Sequence, residues 1–220
     1  MIEIIGTSHV SPQSIEEVKN TITKLKPDLI AIELDKMRYE ALVKRQVKSK
    51  FSFSLIRQLG LSGFIFYLVG NYVENYIAKK TGTIPGQEML TAVIEAKKLG
   101  AKVAVIDQPI QITLRNISRI KLSQKFKIGF DMFFSIFNPR HELRKISLSL
   151  SNFYEVPDQV TISKIIDIFG KRYPSFYRVL IDDRNKYMVN KLKLLKDDFD
   201  TIVVVVGAGH VNGMKELLKS

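Results

Sequence analysis

Two of the three histidines stand in similar five-residue phrases at opposite ends of the chain. Gly6-Thr7-Ser8-His9-Val10 follows Ile4-Ile5, and Gly207-Ala208-Gly209-His210-Val211 follows the β-branched run 202–206. Each phrase reads as strand, glycine turn, histidine, helix. In an α/β sheet such turns lie at the carboxyl ends of the strands, where ligands and catalytic groups gather. If the two strands are neighbours in the sheet, two imidazoles far apart in sequence meet.

Charges on apolar stripes extend this candidate site. Glu33 and Asp107 each end an apolar strand-like run, on the sheet edge that carries the two histidine turns. Glu88 lies in the first turn of a helix and shares a face with Ala92, Ala96 and Leu99. Arg184 falls on the stripe formed by Tyr177, Ile181, Met188 and Leu192, where an unpaired guanidinium would be costly. Two imidazoles with carboxylates suit a divalent metal such as Mn²⁺, Co²⁺, Fe²⁺ or Zn²⁺, which would acidify a bound water and polarise a carbonyl. The same set suits a metal-free site in which a histidine activates water. Spacing does not separate these two chemistries. No HExxH, GxSxG, Walker loop or dinucleotide fingerprint is present.

The elements that must position these groups alternate. Leu29 to Leu34, Lys102 to Ile106 and Ile202 to Val206 read as strands; the segments after Ser11-Pro12, after Asp35, from Gln87 to Leu99 and from Pro174 to Leu195 read as helices. Asp35 reads as the cap of its helix, and Pro27 and Gly100 as helix stops. This rhythm predicts an α/β fold with a mainly parallel sheet flanked by helices. One domain is expected over residues 1–220, its α/β core formed by 1–50, 82–115 and 172–220, with apolar helical inserts at 51–81 and 116–171.

With no cysteine, disulfides, thiolate metal ligands and a cysteine nucleophile are excluded. The start of the chain lacks the pattern of a signal peptide, so a cytoplasmic location is the expectation. A net charge of +12 raises nucleic-acid or anionic-lipid binding. The basic residues are scattered and accompany no RNP phrase, zinc finger or basic zipper, which argues against nucleic-acid recognition as the primary role. The uncharged run 58–73 and the Phe-rich run 126–137 fall short of the roughly 20 apolar residues that a membrane span needs. Core helices, a dimer interface or a peripheral membrane-surface contact would each use such segments.

Several phrases in this order resemble the TraB family, which includes pheromone-shutdown proteins and the TIKI proteases. They are Gly6-Thr7-Ser8-His9, the segment 26–39 around Glu33 and Arg38, Pro85-Gly86-Gln87-Glu88, Val105-Ile106-Asp107, the segment 110–115 ending at Arg115, Asp183-Arg184 and Gly207-Ala208-Gly209-His210. The resemblance implies a fold distantly similar to erythromycin esterases, with a site built from both histidines and Glu33. It also implies divalent-metal-dependent peptide hydrolysis in one branch and inactivation or sequestration of a peptide signal in another. The chain departs from the family at Asp107-Gln108, where Asp-Arg is common, and at Asp183-Arg184, where Glu-Arg is common. Taken together, these readings predict a metal-dependent hydrolase acting on peptides. His9, Glu33 and His210 are the expected metal ligands, Glu88 and Asp107 additional ligands or the base, and Arg38, Arg115 and Arg184 the groups that orient carboxylates or an oxyanion. The alternative is a peptide-binding protein without catalysis.

The two apolar runs predict a symmetric homodimer with these segments paired across its axis. Phe66→Asp and Phe133→Asp should each place an uncompensated carboxylate in that interface and yield monomers or aggregates by light scattering. A monodisperse monomer for the unmodified protein, stable without detergent, would overturn the dimer.

Overall fold

The computed structural model describes residues 1–7, 12–44, 86–137 and 159–220. The described strands are β1 (Ile2–Thr7), β2 (Leu29–Ile32), β3 (Lys102–Val105) and β4 (Ile202–Gly207). They form one four-stranded sheet in the order β1-β4-β2-β3, and every neighbouring pair is parallel. The expected α/β class with a parallel sheet is therefore correct. In β4, Ile-Val-Val-Val-Val-Gly is buried throughout, as a strand with neighbours on both sides and helices on both faces requires.

Period-two alternation divides the sheet between two cores. On one face Ile5, Ile30, Ile32, Val203 and Val205 meet Val18 and Ile22 of α1 (Pro12–Leu25), together with Met89, Ala92 and Ala96 of α3 (Gln87–Leu99). On the other, Leu29, Ala31, Val204 and Val206 meet Met188 and Leu192 of α8 (Asp183–Leu195) and Val211 and Met214 of α9 (Ala208–Lys219). The chain after β4 thus departs to one face, and the chain after β2 to the other. In α/β sheets such a divergence, here at the carboxyl ends of β4 and β2, is where ligands commonly bind.

Local stops agree with the sequence. α1 ends at Leu25, and Lys26 turns the chain with a left-handed φ of 44° before Pro27. α3 ends on Gly100 at φ 71°, where a glycine carries no Cβ penalty. α2 (Lys36–Val43) starts at Asp35, which accepts from the Arg38 backbone N–H at 3.0 Å. The same carboxylate accepts from Ile110 N at 3.2 Å, tying α2 to the start of α4 (Ile110–Ser118).

The long helix expected from Pro174 to Leu195 is present, with a change of pitch inside it. α7 (Pro174–Tyr177) passes through a π turn (Arg178–Asp182) into α8 without leaving helical dihedrals. A π turn holds an extra residue and so shifts the buried stripe around the axis. Phe176 before it and Val179 at its start join Leu114, Ile117 and Ile120 in a third, smaller core. After it, Met188 and Leu192 face the sheet.

α5 (Leu122–Phe137) and α6 (Gln159–Arg172) fall within the expected second insert. Phe126 and Phe130 of α5 are exposed, at 74% and 62%. The first insert at 51–81, the run 58–73 with Phe66, and the side chain of Phe133 lie outside the described residues. No helix among the described residues is long and apolar enough to cross a membrane.

Ala92 and Ala96 are fully buried where α3 meets α1, so the small side chain sets how closely the helices approach. Ala96→Leu should cost about 1–3 kcal/mol. Urea unfolding checks this as a lower midpoint at unchanged slope.

Candidate functional site

Glu33 lies one residue beyond β2 and continues its ladder, its N–H donating to Val205 O at 3.0 Å. Alternation through Leu29 and Ala31 turns its side chain to the face of α8 and α9. There it is buried at the amino end of α9, and Oε2 accepts from the Gly207 backbone N–H at 2.6 Å. A carboxylate so placed satisfies one of the helix's orphan donors and meets the positive end of its dipole.

Arg184 reaches the same carboxylate from the first turn of α8. Its Nη2 bonds Glu33 Oε1 and also Asp107 Oδ2 at 2.7 Å, while Nε donates to Asp107 Oδ1 at 3.0 Å. The grip on Asp107 is therefore two-pronged, the geometry for which a guanidinium is suited. Nη1 donates to Leu180 O of the π turn at 3.3 Å. Burial by itself would lower the pKa of this guanidinium, but Glu33 and Asp107 outweigh it and hold the pKa above the ordinary arginine value.

Asp107 follows β3 and is buried almost completely. Besides Arg184 it accepts from Gln108 N at 2.7 Å and from Arg38 Nη1 at 3.2 Å. Arg38 is the outward member of the cluster, with 43% of its side chain exposed. Gln108 is itself buried and donates to Thr113 Oγ1 at 2.9 Å.

His210 sits in the first turn of α9, buried. Its Nε2 lies 3.3 Å from Glu33 Oε1, and its Nδ1 lies 2.6 Å from Asn185 Oδ1. The structure thus brings Glu33, Asp107, Arg38, Arg184 and His210 together. β1 and β4 are neighbours in register, Thr7 opposite Gly207, so the strands that lead into both histidine turns end side by side. His9 lies outside the described residues.

One expected residue stands elsewhere. Arg115 is exposed on α4, because Thr113, Leu114 and Ile117 form that helix's buried face and Arg115 projects away from it. The structure does not bring it to the cluster. Glu88 is buried in the first turn of α3, which packs on the sheet face opposite α8 and α9. The helix dipole favours a carboxylate at that position.

Asn185 is the site residue that sequence reasoning missed. The signal was present, since Ile181, Asn185, Met188 and Leu192 share one helical face and the amide interrupts an apolar stripe. Among the described residues no group of three His, Asp or Glu is arranged to hold a metal ion. Two donors do fit such a role, His210 Nε2 and Glu33 Oε1. The second ring nitrogen, Nδ1, is held by a neighbouring side chain, as is usual for a ligating histidine.

The sequence matches the TraB/PrgY/gumN family over residues 1–220. This chain belongs to that family. It is 34% identical over 220 residues to an uncharacterized protein of Methanocaldococcus jannaschii, covering 99% of this chain and 53% of that protein. It is 24% identical over 241 residues to the TraB domain-containing proteins of Bos taurus and Homo sapiens, covering 98% of this chain and 62% of each. The chain thus spans roughly half to three-fifths of the length of these relatives. In this TraB-family chain the matched phrases around Glu33, Arg38, Asp107, Arg184 and His210 converge at one sheet edge.

Removing Arg184 leaves Glu33 and Asp107 buried without their shared cation. Arg184→Met should cost about 3–5 kcal/mol, the range for breaking a buried ion pair from one side. Chemical denaturation measures it, and a loss below about 1 kcal/mol would show that the pairing is not structural.

Proposed function

We propose that the chain carries a hydrolytic site that acts on peptides with the aid of a divalent metal ion. The observation that carries this reading is the buried pairing of His210 Nε2 with Glu33 Oε1 at the carboxyl edge of a parallel sheet. His210 and Glu33 would hold the ion, with His9, two residues beyond β1 in sequence, as a further ligand. A cation of the Mn²⁺, Co²⁺, Fe²⁺ or Zn²⁺ type supplies Lewis acidity toward a scissile carbonyl and lowers the pKa of a coordinated water.

The other residues take narrower roles. Asp107 spends both oxygens on Arg184, Arg38 and a backbone N–H, so we assign it to hold the arginines in place. Arg184 fixes Glu33 and balances its charge. Arg38 has one nitrogen on Asp107 and remains half-exposed, which suits it to receive a carbonyl or carboxylate of the peptide. Glu88 is kept as an alternative base, on the strength of its sequence position alone. A second reading, peptide binding without turnover, draws on the engagement of Glu33 Oε1 by Arg184, which competes with ligation. A homodimer and a membrane-surface contact through the exposed phenylalanines of α5 complete the proposal.

Metal analysis of protein purified without a histidine tag, followed by Mn²⁺ and Co²⁺ titration, should show about one ion per chain. Peptide cleavage should fall by about 100-fold or more in Glu33→Gln. Unchanged metal binding in both His9→Ala and His210→Ala would remove the metal from the reading. Saturable peptide binding without cleavage products, with metal supplied, would leave the binding role in its place.

A further inference from the structure

We infer that Asn185 is a positioning residue for His210, and that Gly213 exists as glycine to make room for it. The inference rests on the proposed hydrolytic site for its functional meaning, but its geometry stands independently of that site.

Asn185 is 2% exposed on α8, and its Oδ1 lies 2.6 Å from His210 Nδ1. A carbonyl oxygen can only accept, so Nδ1 carries the proton in this arrangement. The ring is then fixed both in rotation and in tautomer. Nε2 becomes the unprotonated atom of the neutral ring and is the one turned toward Glu33. With the tautomer reversed, Nε2 would carry a proton and donate it to Glu33, and no lone pair would remain there to accept a proton or a cation. The choice between these two rings decides whether the pair can do chemistry or only brace the fold.

Gly213 supplies a second observation. It lies three residues after His210, on the same side of α9. A glycine inside a helix costs up to about 1 kcal/mol relative to alanine, so its presence calls for a reason. A Cβ at this position would overlap Asn185 Nδ2. The amide is buried and held by His210, so it could move only by giving up the bond to Nδ1. His210 and Gly213 therefore bracket one side chain of α8 from consecutive turns of α9. The pair orients the amide as well: Nδ2 lies over the glycine and Oδ1 toward the ring.

Nitrogen-15 NMR of the ring nitrogens, at a pH where the imidazole is neutral and without metal, tests this directly. Only three histidines need assignment, which His9→Gln and His141→Gln variants provide. The unmodified protein should show one pyrrole-type and one pyridine-type nitrogen for His210, with the proton on Nδ1. Asn185→Leu should move the proton to Nε2, where Glu33 accepts it, and Asn185→Asp, which keeps an oxygen acceptor, should restore it to Nδ1. Gly213→Ala should give the same move of the proton to Nε2 as Asn185→Leu, and it keeps the test open if Asn185→Leu fails to fold. A proton found on Nε2 in the unmodified protein, or a fixed Nδ1–H tautomer that survives in Asn185→Leu or Gly213→Ala, would overturn the inference. Where hydrolysis occurs, Asn185→Leu should lower it by about 10- to 100-fold, the usual cost of losing a partner behind a working histidine. An Nδ1–H tautomer lost as expected in a protein that cleaves no peptide would uphold the positioning role and refute the hydrolytic one.

Discussion

The guanidinium of Arg184 is the joint on which this sheet edge depends. Two carboxylates left the ends of separate strands, and neither could be buried by itself, because an isolated ionised group in an apolar surround is costly. One cation from α8 answers both and is held in return by the π-turn carbonyl behind it. Buried ion pairs are rarely a net source of stability compared with well-packed apolar groups. What this one fixes is position: the distance between the ends of β2 and β3, the depth of α8 against the sheet, and the oxygen of Glu33 turned to His210.

The π turn acts on the same joint from the other side. Phe176 and Val179 need to face the small core under α4, whereas Met188 and Leu192 need to face the sheet. A straight α-helix would have to choose a single stripe for both. The extra residue changes phase between them, and Arg184 emerges just after the change, on the side of the strand ends. Asp35 makes a comparable link at the outer rim, capping α2 while accepting from the first N–H of α4. Arg38, two residues into α2's first turn, is thereby carried to Asp107.

Much of this was legible in the residues, for identifiable reasons. The strands are β-branched runs bounded by turns, and the helix stops at Pro27 and Gly100 are set by local backbone chemistry, so both could be read without tertiary knowledge. Glu33 and Arg184 announced themselves as charges on apolar stripes. Asp107 could be placed at a strand end, but its partners could not be read, since they come from elements 69 and 77 residues distant in sequence. The π turn left no mark in the spacing, because a phase change in a helix appears only once both of its cores are known. Arg115 was carried by resemblance, and a matched phrase says nothing about which face of α4 turns outward. Asn185 was missed because an amide does not violate an apolar stripe as loudly as a charge does.

The strand order has a consequence for how the chain comes together. β4, the last of the described strands in sequence, is seated between β1 and β2, the first two of them. Until residues 202–207 arrive, the earliest strands have no common neighbour, and the register that sets Thr7 opposite Gly207 spans almost the whole chain. Closing so long a loop is entropically slow, and contacts of this separation belong to the slow end of domain folding. Until β4 is made, the isoleucine-rich strands β1 and β2 therefore lack the neighbour that shelters their inner edges. The same insertion that completes the sheet brings Gly207 and His210 to Glu33, so the polar centre and the apolar core are finished in one step.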